Sequence, residues 1–124
     1  MFQLNDQIAL VTGGASGIGK GIATALSMAG AKVMVLDIDE ENGPKVAEEV
    51  NGKFFKTDIT NEQQVKGVVD QIVNEFGKID ILVNNAAIWR MNRFLEMSEE
   101  TWDDTIDTDL KGSVFFCQSV AKEM

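Results

Sequence analysis

The stretch Thr12-Gly13-Gly14-Ala15-Ser16-Gly17-Ile18-Gly19 has the composition of an anion cradle. Glycines permit a tight turn and a close approach of backbone to a ligand. Free N–H groups at the start of a following helix point at negative charge. Gly14 to Lys20 fits most of the phosphate-loop pattern G-x-x-x-x-G-K-[ST]. The next residue is Gly21, however, which leaves no hydroxyl for Mg²⁺. The spacing also departs from the dinucleotide fingerprint G-x-G-x-x-G. Taken alone, the glycines leave a ligand-free turn as the lesser reading. Asp37, twenty positions beyond Gly17, changes the balance. At the end of a second strand its carboxylate can accept hydrogen bonds from adenosine ribose hydroxyls, and its charge repels a 2′-phosphate. Neither Ser16 nor Ile38 supplies a cation to offset that repulsion. Turn and carboxylate together favour NAD over NADP as the cofactor, and favour both over an empty turn.

Four short apolar runs must carry these groups: 7–12, 32–37, 53–57 and 79–84. Helical patterns separate them. Ile18, Ile22, Ala25, Leu26 and Ala29 mark the first, closed by Gly30. A weaker one runs from about 40 to 50, before Gly52. In the third, Val65, Val68, Val69, Ile72, Val73 and Phe76 recur at three- and four-residue steps, after a capping-box pattern at Thr60-Asn61-Glu62-Gln63 and before Gly77. A fourth begins after Ser98, with Glu99 and Glu100 where the helix dipole favours acids. Its expected buried ridge is Trp102, Ile106, Leu110, Val114, Cys117 and Ala121. Alternating strands and helices predict an α/β fold of the doubly wound, Rossmann-like kind, with parallel strands and right-handed crossovers.

Composition removes several other chemistries. The 124 residues hold 20 acidic and 11 basic side chains, and the net charge of −9 argues against nucleic acid as a partner. With no His, a Ser-His or Cys-His nucleophile pair cannot form within the chain. A lone Cys excludes an internal disulfide, and no Cys or His cluster has metal-site spacing. No apolar run is long enough to span a membrane, and the first residues lack the pattern of a signal peptide. The expectation is one soluble, acidic, cytoplasmic domain over residues 1–124.

The glycine turn also fits T-G-x-x-x-G-x-G without a gap, the cofactor motif of the short-chain dehydrogenases/reductases, and the chain resembles the N-terminal half of that family throughout. The resemblance implies cofactor contacts at Gly13, Ser16, Gly17, Ile18, Gly19, Asp37 and Ile38. Asp58-Ile59 resembles the family pair beside the adenine ring. Asn84-Asn85-Ala86-Ala87 resembles N-N-A-G, which steadies the sheet and borders the cofactor ribose, with Ala87 in place of Gly. Asp109-Leu110-Lys111-Gly112 resembles N-x-x-G, with Asp109 where the family has a catalytic Asn. A carboxylate accepts hydrogen bonds but does not donate them as an amide does, so the bland reading of Asp109 is one more acid on an acidic helix.

The family reaction transfers hydride between an alcohol or ketone and the nicotinamide, and needs Ser, Tyr and Lys placed beyond the fourth helix. This chain has no Tyr at all. The resemblance therefore implies a truncated, incomplete domain that binds NAD and is inactive by itself. The rival reading is a non-enzymatic NAD-binding or oligomerisation module. Strand order is expected to be 3-2-1-4, with the fourth strand at an edge. That edge and the fourth helix predict self-association. Trp89, Met91, Phe94 and Met97 are expected to pack under a loop. Arg90, Arg93 and the acids from Glu96 to Asp109 are read as solvated, and Cys117 as a buried small hydrophobe.

Overall fold

Successive side chains of each strand point to opposite faces of the sheet, and this accounts for the layering seen in a computed structural model, which describes residues 2–124. The central sheet is parallel, in the order β3-β2-β1-β4, as expected. Its strands are β1 (Ile8–Thr12), β2 (Lys32–Asp37), β3 (Lys53–Lys56) and β4 (Ile81–Val83). Leu10, Met34, Leu36 and Phe55 point to one face, where α3 (Glu62–Phe76) contributes Val65, Val69 and Ile72. Ala9, Val11, Val33 and Val35 point to the other. There α1 (Gly17–Met28) contributes Ala23, and α2 (Asn42–Glu49) contributes Val46 and Ala47. Helices on both faces leave β1 and most of β2 fully buried, which explains why these strands read as unbroken apolar runs.

The start of α3 differs from expectation by one residue. Asn61, not Thr60, is the N-cap, and its side chain accepts from the Gln64 N–H at 3.1 Å. Asp58 has already engaged Thr60, accepting from its N–H at 2.9 Å and its hydroxyl at 2.6 Å. Gln64 reaches back past the cap to accept from the Asp58 N–H at 3.0 Å. Three bonds thus fix the Asp58–Thr60 turn beyond β3.

Strand β4 is shorter than its apolar run because a side chain replaces a rung of the ladder. The Asp80 carboxylate accepts from the Ile8 N–H at 2.8 Å, and the Asp80 N–H donates to the Ile8 carbonyl at 2.9 Å. The Ile8 N–H, a weaker contribution from Lys78 at 3.0 Å following it, holds the Asp80 carboxyl below its ordinary 3.8. A carboxyl with a depressed folded-state pKa stabilises the fold above its unfolded pKa. That contribution is lost as pH falls through the lower folded value. Acid unfolding of the D80N variant should accordingly lose part of its pH dependence below about pH 4. Denaturation midpoints at pH 3 and pH 6 measure this, and an unchanged difference between them would contradict the assigned tie.

The segment after β4 runs through a 3-10 turn (Phe94–Glu96) into a long helical stretch: α4 (Glu99–Thr105), a π-helical section (Ile106–Lys111) and α5 (Gly112–Ala121). Ser98 caps it as expected, accepting from the Thr101 N–H at 3.1 Å. The expected ridge does not hold. Trp102, Leu110 and Val114 are 56%, 59% and 44% exposed, and Cys117 and Ala121 also face outward. The buried line is Gly112, Phe116 and Val120. The π section widens the helix by an extra residue per turn, so a regular 3.6-residue stripe cannot stay on one side. Gly112 also lets the backbone approach Ile59; a Cβ there would lie 2.8 Å from Ile59 Cδ1. Cys117 accordingly sits at the surface, its sulfur 3.3 Å from the Asn84 side-chain nitrogen. Trp89, Met91 and Phe94 are more than four-fifths exposed and pack under nothing. Arg90 and Arg93 are exposed as expected, and Arg90 pairs with Asp104 at 3.3 Å.

Candidate functional site

Strand order reverses between β1 and β4, and at the C-terminal ends of these strands a crevice is the natural ligand site of a doubly wound sheet. A cleft of about 430 Å³ opens there. The glycine turn forms one wall with Gly13, Ser16, Gly17, Ile18 and Gly19. Leu36, Asp37 and Ile38 close the end of β2, and Thr57 to Thr60 follow β3. Asn85, Ala86, Ala87 and Ile88 come from the exit of β4, and Thr108 from the π section. Every cofactor-contact residue named from the sequence lines this one cleft.

The turn's backbone shows what the cleft can hold. Ser16 makes no side-chain cap at the start of α1, which leaves the first-turn N–H groups for another acceptor. Gly17 has φ +54°, a left-handed conformation that favours glycine, and a Cβ built on it would meet nothing within 4 Å. Gly19 is the opposite case: a Cβ there would collide with the Gly13 carbonyl and the Asn85 side chain. A bare backbone cradle with unpaired N–H groups suits a pyrophosphate.

A part-buried latch holds the cradle to the exit of β4. The Thr12 hydroxyl accepts from the N–H groups of Asn85 and Ala86, each at 3.0 Å, and donates to the Val83 carbonyl at 3.3 Å. The Asn85 side chain returns two donations, to the carbonyls of Thr12 at 3.0 Å and Gly13 at 3.1 Å. Thr12 opens the sequence motif, yet its spacing did not reveal this role. Leu36, Thr57, Thr60, Ile88 and Thr108 also line the cleft without having been assigned to it; strand ends flag Leu36 and Thr57, whereas a π section leaves no pattern that would flag Thr108. Ala87 costs the turn no strain, because among the described residues only Asp6 and Asn51 are non-glycines with positive φ.

Asp109 does not line the cleft. Its carboxylate accepts from the Ile88 N–H at 2.9 Å, tying the π section to the segment leaving β4. That bond needs only an acceptor, so a carboxylate serves as well as an amide oxygen would. Lys20 also points away, pairing with Glu49 on α2 at 3.0 Å, which removes the phosphate-loop reading. Among the described residues no Lys or Arg lines the cleft, and its two carboxylates are Asp37 at the end of β2 and Asp58 just beyond β3. Among the described residues there is no cluster of metal-ligating side chains, and no helix is long and apolar enough to cross a membrane.

Comparison with known proteins agrees with this geometry. A family model described as short chain dehydrogenase matches residues 7–124. Galactitol 2-dehydrogenase of Agrobacterium fabrum is 41% identical over 98% of this chain and 48% of its own length. D-threitol dehydrogenase of Mycolicibacterium smegmatis is 38% identical over 99% of this chain and 49% of its own length. NAD-dependent glycerol dehydrogenase of Listeria innocua is 39% identical over 99% and 49%. The crystal structure of gox2181 superposes with a TM-score of 0.95 at 32% identity, covering 99% of this chain and 50% of that one. The chain spans about half the length of the curated relatives it matches.

Proposed function

Since the chain belongs to the short-chain dehydrogenase family, we propose that its cleft binds NAD(H) in preference to NADP(H). In the whole protein this binding would serve hydride transfer between a small alcohol or ketone and the nicotinamide. The observation that carries the reading is Asp37: a carboxylate at the end of β2, facing a cleft without a single cationic side chain. Ribose hydroxyls can donate to it, whereas a 2′-phosphate meets uncompensated charge. The N–H groups at the start of α1 would hold the pyrophosphate. Asp58 and Ile59 would flank the adenine, and Asn85 to Ala87 would border the nicotinamide half. When bound, the nicotinamide supplies the hydride acceptor or donor; these residues bind and orient it. The chain contains no tyrosine, so no phenol among its residues can exchange the substrate proton, and the 124 residues alone would bind cofactor without turnover.

Calorimetric titration of the purified chain tests the cofactor assignment. NAD should bind at least tenfold more tightly than NADP, a difference of about 1.4 kcal/mol. Tighter binding of NADP would overturn the role given to Asp37. A polyol substrate finds support in the names of the galactitol, threitol and glycerol dehydrogenases. The cytoplasm is the proposed location, since a single cysteine asks for no oxidising compartment.

We also place self-association on the outer stripe of Trp102, Leu110 and Val114, together with the uncovered edge of β4. Large apolar side chains exposed along one helix side favour a partner over water. Light scattering at high concentration should report a mass above the 13.6 kDa of one chain. A monomer throughout would remove this part of the proposal.

A further inference from the structure

We infer that Asp37 is a positioning residue for the glycine turn, shaping the anion cradle before any ligand arrives; the inference deepens the proposed dinucleotide site and rests on it for its functional meaning. The turn's backbone donors divide into two sets. Gly13 and Gly14 both donate to the Leu36 carbonyl, at 2.8 and 3.5 Å, and the Ala15 N–H donates to the Asp37 carboxylate at 3.0 Å. The residues that follow, at the start of α1, line the cleft, and Ser16 provides no side-chain cap for their N–H groups. Asp37 therefore marks the dividing point. Ala15 is only 3% exposed, so its N–H has no easy recourse to water if the carboxylate is removed.

The other Asp37 oxygen accepts from the Asp39 N–H at 3.1 Å, which pins the carboxylate from the far side. Its backbone carbonyl accepts from the Thr57 N–H at 3.0 Å, joining it to β3. The carboxylate is thus held by two backbone donors, one on the glycine turn and one just beyond β2, and its orientation needs no ribose. An unpaired buried N–H is costly, and the backbone would rotate to find an acceptor. Rotation at Ala15 would turn the Ser16–Gly17 peptide away from the cleft. One carboxylate consequently sets both the adenosine preference and the shape of the pyrophosphate cradle. Removing it to admit a 2′-phosphate would damage the site for either cofactor.

The test separates this indirect effect from direct contact with ribose. Amide hydrogen exchange is measured at Ala15 on the unliganded chain, with Val33 to Val35 in β2 as the internal reference for folding. D37A should raise Ala15 exchange at least tenfold relative to that reference. D37N keeps one acceptor oxygen and should recover at least part of the protection. The second arm uses 2′,3′-dideoxy-ADP, which has no ribose hydroxyls to offer. D37A should weaken its binding about fivefold or more, and D37N by less. Unchanged Ala15 exchange in D37A, or equal exchange in D37A and D37N, would overturn the inference. So would wild-type affinity of D37A for the dideoxy ligand. If the wild-type chain binds neither ADP nor its dideoxy analogue, the cofactor reading fails while Ala15 exchange still decides the positioning role.

Discussion

Replacing Gly19 with alanine should reduce NAD binding at least a hundredfold, while Gly21→Ala, two residues along the same helix, should leave it intact. A Cβ at Gly19 would collide with the Gly13 carbonyl, which is backbone, and with the Asn85 side chain that donates to that carbonyl. Neither group can yield cheaply. Moving Gly13 breaks its bond to Leu36, and moving Asn85 breaks the latch to Thr12. Overpacking of this kind costs about 1–3 kcal/mol of stability, and here the displaced atoms are the cradle itself. A Cβ at Gly21 would meet nothing within 4 Å, and alanine is the better helix former by about 1 kcal/mol. Paired calorimetric titration and denaturant unfolding of the two variants give the answer. Equal NAD affinity in both would show that the turn is not where the pyrophosphate sits.

Phe116→Ala should be the most destabilising single truncation on the α5 side, by about 3–5 kcal/mol. Its ring is fully buried, in one cluster with Leu36, Ile59, Val65 and Val69. Nothing on the surface of α5 can collapse into the space it leaves, because Gly112 and Val120 already lie close against the same face. The effect should reach the cleft as well, since Ile59 touches both this core and the cleft wall. Chemical denaturation reports the first effect and cofactor titration the second. A Val114→Ala variant, altering a half-exposed side chain on the opposite side, should change stability by less than about 1 kcal/mol. A reversal of that order would return the buried face to the ridge expected from periodicity.

These two residues also show how far the amino-acid pattern reaches. Gly19 was legible because its role is local: a turn, a helix start and a close approach all fall within a few positions. The same holds for Gly13, Ser16, Gly17 and the strand-end Asp37, whose places follow once a strand is known to end there. Asp58 and Asn85 reach the cleft for a related reason, since parallel strands deliver all their C-terminal ends to one side. Asp109 was legible only by analogy with a family position, and its actual partner, the Ile88 N–H, lies on another element.

Chain order, strand and helix type, sheet order and the site-bearing turn were determined by the sequence itself. The elements and the turn rest on near-neighbour periodicity and turn chemistry, and parallel pairing on the handedness of crossovers, whereas the sheet order followed from the resemblance to a doubly wound family. Tertiary structure alone decided which side of α5 is buried, where the helix widens, and how Thr12 and Asn85 lock across 73 residues. The 99–121 segment is apolar on more than one side, so its own pattern has two solutions. Contact between Gly112 and Ile59 selects one of them, and such long-range contact has no counterpart in the spacing of residues along the chain.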